Sequence, residues 1–267
     1  MSAVGLRILA QEIRSVVETA RFELAPAHAG PIVVSGTLAE QLARELGAGA
    51  EPGAVVVDDG AQVFAAEVVV RVLAGEPSEA DVSFIRAADQ RRTPVVIVQL
   101  WPQGDWTPPY VLSPFVVECR AGEGFPLDEI ADRIVEASEH GPIHASRVPE
   151  LKRASSRGVI RQAIVRSALL GVGGARKGAA RPLIGLEQIR MLARLRAGTT
   201  GAAGSDATPV IASVAALTFS AGFAFRGVAR AAREVLPAPV ADAVVAAAGT
   251  WALAKALQAI EPRLPSA

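Results

Sequence analysis

One cysteine, Cys119, is all that the chain contains, so no internal disulfide can form and a cross-linked secreted scaffold is excluded. Histidine is nearly as scarce. His28, His140 and His144 stand apart from any Cys, Asp or Glu at metal-ligand spacing, and no zinc or iron site is expected. Cys119 has no histidine near it in sequence to activate it, and Ser35-Gly36 does not meet the G-x-S-x-G pattern of an exposed nucleophile. The start of the chain lacks a charged region followed by a continuous apolar core. Secretion is therefore not expected, and the protein is placed in the cytoplasm or at the cytosolic face of the inner membrane.

Lysine is missing from the whole first half, and Lys152 is the first to appear. Residues 1–150 hold 11 Arg against 22 Asp plus Glu, whereas 151–267 hold 16 Lys plus Arg against 5, although the whole chain is neutral. Such asymmetry predicts two modules, and a basic module commonly meets anionic phosphate. The two halves neutralising each other is the simpler alternative.

Hydrophobic residues, at 51%, are ample for a packed core. Leu6, Leu9, Ile13, Val16, Val17 and Ala20 recur at helical spacing and predict an amphipathic helix over 2–22. Short β-branched runs follow at 31–36, 54–60, 67–75, 94–101 and 115–119, each closed by Gly, Pro or polar residues. Helical spacing returns at 37–47, 78–92 and 127–140. Strands alternating with helices predict an α/β domain with a mainly parallel sheet over residues 1–145, and runs apolar on both faces suit buried parallel strands.

After 145 the texture becomes all-helical. A basic helix is expected over 149–170, a Gly/Arg connector over 171–182, and a helix over 183–197 followed by a Gly/Thr/Ser loop to 208. Two apolar helices, 209–233 and 238–260, should then form a hairpin hinged at Leu236-Pro237-Ala238-Pro239, because proline removes a donor and extends the residue before it. Residues 209–225 carry no charge, and 238–260 carry only Asp242 and Lys255. Both lie near the length needed to span a bilayer and also suit a protein core. Arg226, Arg230 and Arg233 would share one face at a membrane interface if the hairpin inserts.

The order of elements in the first half, ending in PVVIVQLW and FVVECRAGEGFPLDEI, resembles an Era-type GTPase domain. Gly122, Gly124, Leu127, Asp128, Glu129 and Ile130 carry the end of that resemblance. The nucleotide motifs are absent. Only Ser35-Gly36-Thr37 follows the first strand, where the family requires G-x-x-x-x-G-K-[ST] to cradle phosphate and hold Mg²⁺. Gln99-Leu100-Trp101-Pro102 stands where the family writes Asn-Lys-x-Asp. The resemblance thus implies the fold without the hydrolytic chemistry. In the second half, Pro182, Gln188, Met191, Leu192 and Leu195, then 230–237 (RAAREVLP) and Gly249-Thr250-Trp251-Ala252-Leu253 with Lys255, resemble the helical domain of unknown function found with bacterial Era-like GTPases and in inner-membrane proteins of the YcjF type. That resemblance implies association with a GTPase-like domain and with a membrane. Departures are Arg196-Ala197-Gly198, where the family shows Tyr-Gly, and Ala254, where it shows Gly.

The expected function is a non-catalytic pseudo-GTPase adaptor or scaffold that binds protein partners or itself and is anchored or assembled by its helical domain. No cofactor and no metal are expected. A soluble self-associating structural protein remains open. So does a weak nucleotide hydrolase acting through Ser35, Thr37, Asp58 and Asp59, although Asp58-Asp59-Gly60 also reads as an ordinary turn. Trp101, Asp105 and Trp106 form the candidate partner loop, since they follow a strand's carboxyl end, where α/β sheets place ligands. Gly171 to Gly178 resembles a phosphate cradle only superficially, having no strand before it. The basic stripe at Lys152-Arg153, Arg157, Arg161 and Arg166 lacks interleaved aromatics and does not point to nucleic acid.

Overall fold

A computed structural model describes residues 29–58, 65–75, 77–102, 111–112, 115–174, 180–200 and 231–260. These residues form two compact units: 29–158 with 198–200, and 159–197 with 231–260. Residues 1–28, with the expected first helix, lie outside the described residues.

In the first unit the β-branched runs become β1 (Ile32–Gly36), β2 (Val55–Val57), β3 (Val68–Ala74), β4 (Val95–Leu100) and β5 (Val116–Cys119). All neighbours pair in parallel, in the order β2-β1-β3-β4-β5. Strand alternation divides the valines between two layers. Ile32, Val34, Val70 and Val98 face the layer that holds Leu42 and Leu46 of α1 (Ala39–Leu46) and Ile130 and Ile134 of α3 (Leu127–Ala137). Val33, Val69 and Ile97 face the layer that holds Ile85 and Ala88 of α2 (Glu79–Gln90). The sheet is doubly wound, and its order reverses between β1 and β3; ligands of such sheets bind outside the strands' carboxyl ends at that reversal.

Local chemistry sets the helix ends. Ser78 accepts a bond from the Asp81 amide while the Asp81 carboxylate accepts one from the Ser78 amide, a reciprocal cap that starts α2. A seven-residue helix not expected from the sequence, α4 (Gly141–Arg147), follows α3 and has a proline in its first turn. Next comes α5 (Leu151–Gly174). Ala145, Val148, Leu151 and Ala154 all pack into the first layer, so the sheet's core continues beyond 145 and its compact unit runs to 158.

In the second unit, the rest of α5, α6 (Ala180–Thr200) and α7 (Ala238–Ile260) share a small apolar core of Val159, Ala163, Met191, Leu192, Leu195 and Ala254. Thr250 joins the three helices. Its buried hydroxyl accepts a bond from Gln188 Nε2 at 3.2 Å and has one proton to share between the Ala246 carbonyl, 2.8 Å away, and Ser167 Oγ, 3.0 Å away. Helix α5 also runs through the start of the connector expected at 171–182. The reason is packing: Gly171 is buried, and a Cβ there would lie 2.8 Å from Ala243 Cα, so the glycine permits close helix contact rather than breaking the helix. Of the expected 209–233 helix, only 231–233 lies among the described residues; it is helical, and the helix runs on to 235. Among the described residues, no helix is long and apolar enough to cross a membrane.

Candidate functional site

The carboxyl edge of the sheet is where this architecture would hold a ligand. There β1 ends at Gly36, whose φ of +97° suits glycine alone. A Cβ on Gly36 would meet the Val72 carbonyl oxygen at 2.1 Å. The next residue, Thr37, donates its amide proton to that same carbonyl at 3.1 Å. Leu38 is left-handed and half-exposed, and it begins α1 without a side-chain cap. The turn between β1 and α1 is thus folded back onto β3. A phosphate cradle needs successive amides directed at the anion, but here the Thr37 amide is bonded to the neighbouring strand.

Of the expected site residues, Ser35 and Asp58 come together. Val34 pairs with Val57, and the Asp58 amide donates to the Val34 carbonyl at 2.9 Å, which sets Asp58 beside Ser35. Ser35 is only 3% exposed, and its Oγ has no hydrogen-bond partner. Thr37 is exposed one turn further on. Asp59 lies outside the described residues. Arg71 pairs in register with Ser35, but its guanidinium is held elsewhere: Nη2 contacts Asp81 Oδ1 at 2.6 Å, and the group stacks 4.8 Å over the Phe84 ring. Burial raises the Asp81 pKa, yet the bonds from Ser78 and Arg71 outweigh it and hold the carboxyl below its usual range.

Trp101 stands at the end of β4, half-exposed and left-handed at φ +50°, with its amide bonded to the Cys119 carbonyl at 2.9 Å. It shares the carboxyl edge with Ser35 and Asp58, but β3 lies between their strands. Asp105 and Trp106 lie outside the described residues. Gln99 is a buried strand residue rather than part of a base-reading loop. Cys119 is buried and its Sγ donates to the Gly124 carbonyl at 2.9 Å. Burial, together with Glu123 and Glu45, raises its pKa, which suits packing rather than nucleophilic attack.

A polar cluster that sequence reasoning missed sits at the opposite end of β3. Glu67 Oε1 accepts the Ser138 hydroxyl at 2.5 Å and the His140 amide at 3.1 Å, with His140 Nδ1 at 3.2 Å. His144, wholly buried in α4, brings Nε2 to 3.1 Å from Oε2. Burial alone would raise the Glu67 pKa; His144, Ser138 and His140 outweigh it and bring it down to about 2. Among the described residues, no group of three or more His, Cys, Asp or Glu is arranged to hold a metal, this cluster included. Its partners are more than 70 residues apart in sequence, and no motif spacing could have announced it.

In the helical unit, Arg233 forms a two-pronged pair with Asp242, both oxygens lying 2.7 Å from Nη2. The one acid near the start of the apolar α7 is thereby matched. Arg226 and Arg230 lie outside the described residues. No protein-family model, curated protein or solved structure matches this chain.

Proposed function

We propose that the protein is a non-catalytic scaffold, in which a GTPase-like α/β unit without nucleotide chemistry binds protein partners or itself, and the helical unit fixes it to a membrane or an assembly. The observation that carries this reading is the turn after β1, where Gly36 and the Thr37 amide are packed against Val72 at the place a phosphate would need. Supporting it, Arg71 is occupied by Asp81, and no lysine precedes Lys152. The half-exposed Trp101 on the same edge is the best-placed side chain for a protein contact.

A second reading, weak nucleotide hydrolysis through Ser35, Thr37, Asp58 and Asp59, has the unpartnered Ser35 hydroxyl in its favour. Thermal unfolding of the full chain with GTP, GDP or ATP and Mg²⁺ separates the two, because a ligand that binds the folded state must raise its stability. The scaffold reading expects no rise in melting temperature. A rise that grows with nucleotide concentration and vanishes in Asp58→Asn would overturn it.

A further inference from the structure

Nine of the twelve large hydrophobic side chains that are exposed among the described residues belong to the helical unit, so that unit has an uncovered surface to explain. Their placement is not scattered. The contact of Gly171 with Ala243, and of Ser167 with Thr250, makes α5 and α7 antiparallel neighbours. The end of α5, with Leu169 and Val172, therefore meets the start of α7, with Val240 and Val244, beside Val235 and Leu236 of the preceding turn. All eight residues from 233 to 240 are exposed, Val235 by 84%. Six of them, Val-Leu-Pro-Ala-Pro-Val, have neither charge nor a side-chain hydrogen-bonding group. The tip is rigidly based: Pro237 accepts the amides of Val240 and Ala241 through its carbonyl, and the Arg233–Asp242 pair ties the two sides of the turn.

We infer that this apolar tip dips into the headgroup and upper acyl region of an anionic bilayer. The inference rests on the scaffold reading and names the surface on which it assembles. Charge chooses lipid over a second copy of the unit. Residues 159–267 carry 13 Lys plus Arg against 5 Asp plus Glu, which attracts anionic lipid and makes two such units repel each other. Depth is limited, since no described helix is long and apolar enough to cross; the tip enters as a shallow wedge, with Arg233 left at headgroup level.

Flotation of the full-length protein with vesicles of phosphatidylcholine containing a minor share of phosphatidylglycerol tests this. The wild type floats with these vesicles and less with phosphatidylcholine alone. Val235→Asp with Val240→Asp lowers the bound fraction at least about tenfold, because two exposed valines lose the chance of burial in lipid. The melting temperature stays unchanged, as both side chains are exposed. In a second measurement, a tryptophan placed by Val235→Trp is quenched by brominated acyl chains. Equal flotation of the double variant, an unquenched tip tryptophan, or absence of wild-type binding would overturn the inference. So would an oligomer that the double variant splits into monomers, since a second copy would then be the occupant. Nucleotide binding moves none of these readouts, so the scaffold reading and the lipid contact fail separately.

Discussion

Glu67 and Gly36 show how much of this fold depends on single residues whose reasons lie far along the chain. With a folded pKa of about 2 against an ordinary 4.5, Glu67 is ionised more readily in the native state than in the unfolded one. Its contribution is fully present above about pH 4.5 and is lost as the pH falls toward 2, where the native carboxylate is finally protonated. Glu67→Gln should therefore flatten the fall in melting temperature between pH 5 and 3, and thermal melts of both proteins across that range check it. An unchanged acid limb would mean that the cluster does not couple to folding. Gly36 is constrained by backbone rather than charge. In Gly36→Ala, the new methyl must displace the Val72 carbonyl and adopt a left-handed backbone, at a cost of about 2 kcal/mol or more. Urea unfolding would show it. Both effects were invisible in the linear sequence: Ser35-Gly36-Thr37 reads as a truncated motif, and Glu67 reads only as the first residue of a strand.

At the level of elements, the strands were legible because buried parallel strands are apolar on both faces, and the valine and isoleucine runs at 32–34, 68–70 and 95–98 leave few alternatives. The helices α1, α2 and α3 were legible through their apolar spacing. By contrast, α4 was not, since seven residues opened by Gly-Pro give no period to detect, and its anchors are tertiary: Ala145 and Val148 pack in the sheet's first layer, and the buried His144 approaches Glu67. Glycine misled in the opposite sense. Within 171–174 it reads as a breaker, whereas at Gly171 a Cβ would lie 2.8 Å from Ala243 Cα, so the glycine lets α5 and α7 approach. Gly171→Leu should therefore separate these helices and cost about 3 kcal/mol or more, since overpacking against backbone cannot be relieved by a rotamer change. Differential scanning calorimetry would register it as a lower melting temperature. A neutral outcome would show that the α5–α7 contact is loose. Thr250, by comparison, was noted only as part of a sequence resemblance, and its role in joining three helices depends on Ser167 and Gln188, which no local pattern connects to it.

For the whole molecule, the change of texture near 145–150 marks where helical composition begins, not where the sheet's core ends. Helix α5 continues across the division between the compact units, and its first two turns belong to the α/β unit. Leu151 and Ala154 lie in the layer with Ile130 and Val148, while Arg157 reaches back to Asp132 at 3.0 Å. Arg157, a few residues past the charge boundary, is thus a partner of the acidic α3, which a count of charges could not reveal. This yields a prediction about dissection. A fragment of residues 26–158 should unfold cooperatively, whereas one of residues 26–145 loses the wholly buried Val148 and Leu151, and with them about 4 kcal/mol of apolar burial. That is a large share of the stability of a domain this size, so the shorter fragment should show a broad transition or none by circular dichroism. If both fragments melt alike, the α/β unit is complete at 145, and the first turns of α5 pack against it without contributing to its folding.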